Sequence, residues 1–109
     1  MSINSRIIEA VTPLVPVCVP DLYDGDAEIY CTFNGTETPD GFGDDGPQAI
    51  RWLMQLHLFA PRRQNVLGMK RSLCRRLWKA GFTYPSVTNA SDSDGQHYVL
   101  EFEDLDGDV

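Results

Sequence analysis

Ile50-Arg51-Trp52-Leu53-Met54-Gln55-Leu56-His57-Leu58-Phe59 decides the fold. Ile50, Trp52, Met54, Leu56 and Leu58 alternate with Arg51, Gln55 and His57, which is the two-residue period of a strand with one apolar face and one polar face. Such a strand needs a cover on one side, and its polar alternate is open to solvent or to a partner. Working outward, Glu28 to Phe33 has the same period, with Ile29, Cys31 and Phe33 opposite Tyr30 and Thr32. His97 to Glu103 sets Tyr98, Leu100 and Phe102 against Val99, Glu101 and Glu103. Pro16-Val17-Cys18-Val19-Pro20 is a short extended run between prolines, which suits a sheet edge. Phe82 to Val87 adds a further short extended segment.

Two stretches have a helical period instead. Ile3, Ile7, Val11 and Leu14 recur at spacings of four, four and three, and Pro13 ends that helix by removing an amide donor. Between Asn65 and Lys79, Val66, Met69, Leu73, Cys74 and Leu77 fall in one sector, while Arg71, Arg75, Arg76 and Lys79 gather on the other side. Asn65 suits the amino-terminal cap, and Gly81 can take the left-handed conformation that closes the helix. The order helix, strand, strand, strand, helix, strand predicts one α+β domain over residues 1–109. It would hold a mainly antiparallel sheet of about four strands with both helices on one face.

Asn34 to Pro47 is rich in Gly, Asp, Thr and Pro and reads as a long flexible loop. Within it, Gly41-Phe42-Gly43-Asp44-Asp45-Gly46 has the spacing of a dinucleotide-binding turn. It precedes a strand rather than a helix, and its aspartates would repel a pyrophosphate. Asp92-Ser93-Asp94-Gly95 with Glu101 imitates part of a calcium loop, but Ala90 stands at the first ligand position, so a hairpin turn is expected. Asn34 and Asn89 head glycosylation-type triplets and read as loop residues. Cys18, Cys31 and Cys74 are odd in number, far apart and set among apolar residues, as reduced buried thiols are. His57 and His97 are the two histidines, without the clustered ligands zinc requires, and His57 reads as a lone strand histidine. No catalytic, cofactor or metal site is expected, and the chain does not read as an enzyme.

The 109 residues carry a net charge of −7 that is unevenly spread. Arg62, Arg63, Lys70, Arg71, Arg75, Arg76 and Lys79 occupy one segment without a single acid. Acids concentrate at Asp21 to Glu28, Asp40 to Asp45 and Asp104 to Asp108, the last a frayed tail. The basic segment is dominated by arginine, which favours fixed bidentate contacts. The expected interface therefore sets Arg71, Arg75, Arg76 and Lys79 of one copy against acids such as Asp40, Asp44 and Asp45 of the next. Repeated head to tail, that contact can close into a ring. No segment has the apolar length of a membrane span or an export signal, so a soluble, unexported protein is expected.

The element order resembles the tail terminator, or tail completion, proteins of long-tailed bacteriophages and prophages. The resemblance runs through the amino-terminal helix, Val17-Cys18-Val19-Pro20, Trp52 to Phe59, Leu77-Trp78-Lys79-Ala80-Gly81-Phe82 and Asp94 to Phe102. It implies a homo-oligomer, a hexameric ring that caps the tail tube and joins it to the head connector, with the tube protein and the head-closure protein as partners. DNA would pass through the lumen without sequence-specific contacts, and no cofactor or membrane is involved. The subunit would be made in the host cytoplasm and end in the virion tail. Residues 34–47 would face the tube or connector, and the helix from Asn65 to Lys79 would lie outside or between subunits. Another neck or tail subunit, a small acidic adaptor or inhibitor, and an RNA-binding α+β module are the alternatives. The last would need an aromatic-rich sheet.

Overall fold

The computed structural model describes residues 2–43 and 46–106. Helix α1 (Ile3–Val11) is followed by strands β1 (Cys18–Pro20), β2 (Tyr30–Gly43) and β3 (Gly46–Ala60), helix α2 (Leu67–Lys79), and strands β4 (Ser86–Asn89) and β5 (Gln96–Asp106). The strands form one five-stranded sheet in the order β1-β2-β3-β5-β4, antiparallel except where β1 runs parallel to β2. The fold is the expected α+β class. The sheet has five strands rather than about four because both short extended runs pair at its edges.

Register assigns the two faces. On one, the rows Cys31–Leu58–Tyr98, Phe33–Leu56–Leu100 and Gly35–Met54–Phe102 lie side by side. These residues share a core with Ile7, Val11 and Val15 and with Leu73, Cys74 and Leu77 of α2, so both helices cover this face. Leu56, Leu58, Leu73, Leu77 and Leu100 have no exposed surface, and burial on that scale stabilises by about 1.5–3 kcal/mol per side chain. Gly35 leaves room for Met54 in its row: a Cβ there would sit 2.2 Å from the Met54 sulfur and displace the end of that side chain.

The helix ends follow local chemistry. Ser2 caps α1, its Oγ accepting from the Ser5 amide at 3.1 Å. Helix α2 starts at Leu67 with Val66 at the cap position, one residue later than a cap at Asn65 gives, and Asn65 Oδ1 accepts from the Leu67 amide. At its other end Gly81 adopts φ +102°, the Phe82 amide donates to Leu77 O and the Gly81 amide to Trp78 O. That is the Schellman arrangement, and Phe82 turns back into the core.

The expected loop over Asn34–Pro47 is instead a continuation of the hairpin. β2 remains paired from Asn34↔Gln55 to Gly43↔Gly46, so Asn34 is a strand residue, as is Asn89 in β4. The alternating pattern of β3 provides a template on which Thr36 and Thr38 extend, and pairing overrides the poor strand propensity of Gly and Pro. The molecule is accordingly elongated, 54 × 25 × 23 Å, with the hairpin as an arm. Asp92 and Gly95 close the β4–β5 hairpin, and Asp92 Oδ1 accepts from the Asp94 amide at 2.8 Å, the turn expected in place of a calcium loop. β5 is regular through Asp106; the remainder of the expected frayed tail, 107–109, lies outside the described residues.

Candidate interface surfaces

Helix α2 carries the basic residues, but they do not act alike. Arg76 is tethered at its base: its Nε donates to the carbonyl of Ala10 and ties α2 to the end of α1. Arg76 nonetheless remains exposed, as Arg71, Arg75 and Lys79 are. Lys70 is also engaged, with its ammonium 3.7 Å from the centre of the Tyr98 ring. Arg62, Arg63, Arg71, Arg75 and Lys79 are exposed, and no described carboxylate forms an ion pair with any of them. Only Ser72 Oγ, at 3.3 Å, accepts from Arg75.

The exposed side of α2 is not purely basic. Leu67 and Trp78 are 50% and 57% exposed, unusually high for large apolar groups. With α-helical spacing, Leu67, Arg71, Arg75 and Trp78 fall within about 80° of one another. Trp78 meets Tyr84, itself 55% exposed, edge to face at 6.2 Å.

The second surface is the open sheet face. Its rows are Tyr30–Phe59–His97, Thr32–His57–Val99–Thr88, Asn34–Gln55–Glu101–Ser86 and Thr36–Leu53–Glu103. The upper rows form an aromatic ladder: ring centroids are 4.7 Å apart for Tyr23–Tyr30, 4.8 Å for Tyr30–Phe59 and 4.3 Å for Phe59–His97. The last two pairs are nearly parallel, so the rings spend their flat faces on one another. A nucleobase therefore finds edges here rather than a stacking platform, which counts against the RNA-binding alternative.

His57 is not the lone histidine that its place in the sequence suggests. Its Nδ1 lies 2.8 Å from His97 Nε2, and its Nε2 lies 3.4 Å from the Asn34 amide nitrogen. Since an amide nitrogen donates, His57 accepts at Nε2, carries its hydrogen on Nδ1 and donates to His97. Burial, and secondarily the charge of His97, lower the His57 pKa. The pair is a hydrogen-bonded brace, and among the described residues no three His, Cys, Asp or Glu side chains could hold a metal. Alternation in the strands already puts Tyr30, His57, Phe59 and His97 off the apolar face; only the register makes them neighbours.

Below the ladder, Asn34, Leu53, Gln55, Tyr84, Glu101 and Glu103 line a depression of about 530 Å³. Glu101 is exposed, Glu103 stands 4.0 Å from Arg51 Nε, and Leu53 is 40% exposed at the floor. Of the acids expected at the interface, Asp40 lies in the arm opposite Ala49, and Asp44 and Asp45 lie outside the described residues.

The thiols lie inside the fold. Cys18, Cys31 and Cys74 are free and buried, and burial pushes the Cys18 thiol up to about 11. Burial, with Cys18 as a smaller influence, raises Cys31 as well. No described helix is long and apolar enough to cross a membrane. No protein-family model and no curated protein matches the chain.

Proposed function

We propose that the chain is a structural, non-enzymatic subunit that assembles into a ring. Specifically, we propose a phage tail terminator that caps the tail tube and joins it to the head connector, as the family resemblance implies. One observation carries this reading: a single α+β body displays on α2 exposed arginines that no described carboxylate pairs with, and on the open sheet face the exposed Glu101 beside Glu103, whose described cation, Arg51, stands 4.0 Å away. The α2 arginines have no described carboxylate beside them, and copies placed head to tail can supply one. The arm of β2 and β3 adds an elongated projection of the kind that engages a tube or connector. A small acidic inhibitor would be acidic throughout and would not need the arginine stripe.

Sedimentation velocity and negative-stain electron microscopy at about 1 mM, where contacts with millimolar dissociation constants are half formed, test the reading. Closed rings, six subunits by resemblance, are expected, and they should weaken with salt because exposed charges are screened over about 8 Å. A chain that remains monomeric, or that stops at a two-fold dimer, overturns the ring.

A further inference from the structure

We propose that the outward stripe of α2 docks into the depression on the open sheet face of a second copy. Arg71 and Arg75 would meet Glu101 and Glu103, and Trp78 would cover Leu53. The proposal deepens the assembly reading by naming both halves of the contact, and it moves the acidic half from the hairpin tip to the sheet face.

Three features select this pair. The first is charge: Arg71 and Arg75 are one turn apart on a helix without a single acid, and among the described residues no carboxylate pairs with either. Glu101 and Glu103 are two residues apart on β5 and so lie on the same side of the sheet, about 7 Å apart along the strand. That spacing is close to the axial rise of about 6 Å between the arginines, so two forked guanidinium groups can each take one carboxylate, Glu103 being shared with Arg51 Nε at 4.0 Å.

The second is composition. Arginine and tryptophan dominate the energetics of protein contacts, and the stripe holds two arginines and a Trp78 that is 57% exposed. An isolated subunit gains nothing from leaving an indole in water, whereas a partner with an apolar floor at Leu53 does cover it. The third is shape. The stripe is a convex ridge, and the depression is concave, open and large enough for two or three side chains. The basic residues that the fold itself consumes, Arg76 and Lys70, take no part, which separates this contact from packing within the subunit.

The test is a charge swap read by sedimentation at about 1 mM, with circular dichroism verifying the fold of each variant. Arg71→Glu with Arg75→Glu, and separately Glu101→Arg with Glu103→Arg, should each weaken self-association at least about tenfold, because like charges then face each other. The chain carrying all four substitutions should associate within about threefold of wild type, since attraction is restored with its sign exchanged. Trp78→Ser leaves every charge in place and should also weaken association.

If wild type assembles and the two reversals assemble equally well, the ring reading stands and this contact is overturned. If the four-fold variant fails while remaining folded, the two charge sets do not face each other and the contact is likewise overturned. If the swap succeeds but the product is a two-fold dimer, the contact stands and the ring falls. A wild-type chain that is monomeric throughout overturns both.

Discussion

On the helix-covered face of the sheet, Phe33, Leu56, Leu58, Leu100 and Phe102 interlock with the apolar stripes of α1 and α2 in a region without exposed surface. On the reverse face, the same three strands present rings standing side by side, then two histidines, then amides and carboxylates. Both faces are rich in large side chains, yet they use them differently. In the core each ring or aliphatic group touches the opposite layer, and stability comes from what is removed from water. On the open face the rings touch laterally, within their own layer, which lowers the apolar area they expose without any covering element. The contrast separates a surface that makes the fold from one that remains available after folding is complete.

The sharpest way to break this division is in the core. Leu77→Ala should lower unfolding free energy by about 2–5 kcal/mol in urea titration, the range for deleting a buried leucine under incomplete collapse. A loss under about 0.5 kcal/mol would mean that α2 does not seal the sheet, a surface-like effect.

At the boundary between helix layer and sheet, Arg6 holds three elements. Its guanidinium donates to Asp104 Oδ2 at 2.8 Å and to the Ala80 carbonyl at 2.9 Å, and it lies 4.3 Å above the Phe82 ring. Arg6→Met keeps most of the packing and leaves the partly buried Asp104 without its cation. An expected cost of about 1–3 kcal/mol follows, measured by the same titration.

The open face should give the smallest effect and the only one that follows acidity. The folded-state pKa of His57 lies below its ordinary value of 6.5. The unfolded chain therefore binds more protons just below that pH, and stability falls as pH drops from 6.5 toward the lowered folded value. Protonation also disrupts the brace, since either Asn34 or the paired imidazole would then face a second donor. His57→Gln should flatten this part of the profile in melts recorded from about pH 7.5 to about pH 5.5. An unchanged slope would show that the brace is not the titrating element.

Most of the architecture is legible in the sequence wherever a periodic apolar face meets a real core. The alternation in Trp52 to Leu58 and the four-residue rhythm of Ile3, Ile7 and Val11 each report a buried side, and burial leaves its mark in residue type. The arm was not legible. Residues 34–43 extend because β3 offers a paired edge, a property of the partner rather than of Gly35 or Pro39. Arg76 shows the same limit on a helix: its place in the wheel is outward and it is exposed, but that its Nε also ties α2 to the Ala10 carbonyl depends on where α1 packs, which the wheel does not contain. The aromatic ladder is split among three strands, and its members become neighbours through register alone. The exposed stripe was half visible, as a run of basic residues, while Trp78 and Leu67 reveal their role only once they are found uncovered.

The free edge of the arm has a consequence for solubility. β1 pairs with β2 only from Cys31 to Phe33, and beyond that point the outer margin of β2 has no strand beside it among the described residues. Cys31 and Phe33 direct their backbone groups to that margin, the Cys31 amide to Val17 O and the Phe33 carbonyl to the Asp21 amide. By alternation Gly35, Glu37 and Pro39 point the same way. Two such margins brought together would set Glu37 beside another arm's acids, and Pro39 would have no N–H to offer the incoming strand. Pairing of arm to arm along this margin is thereby disfavoured.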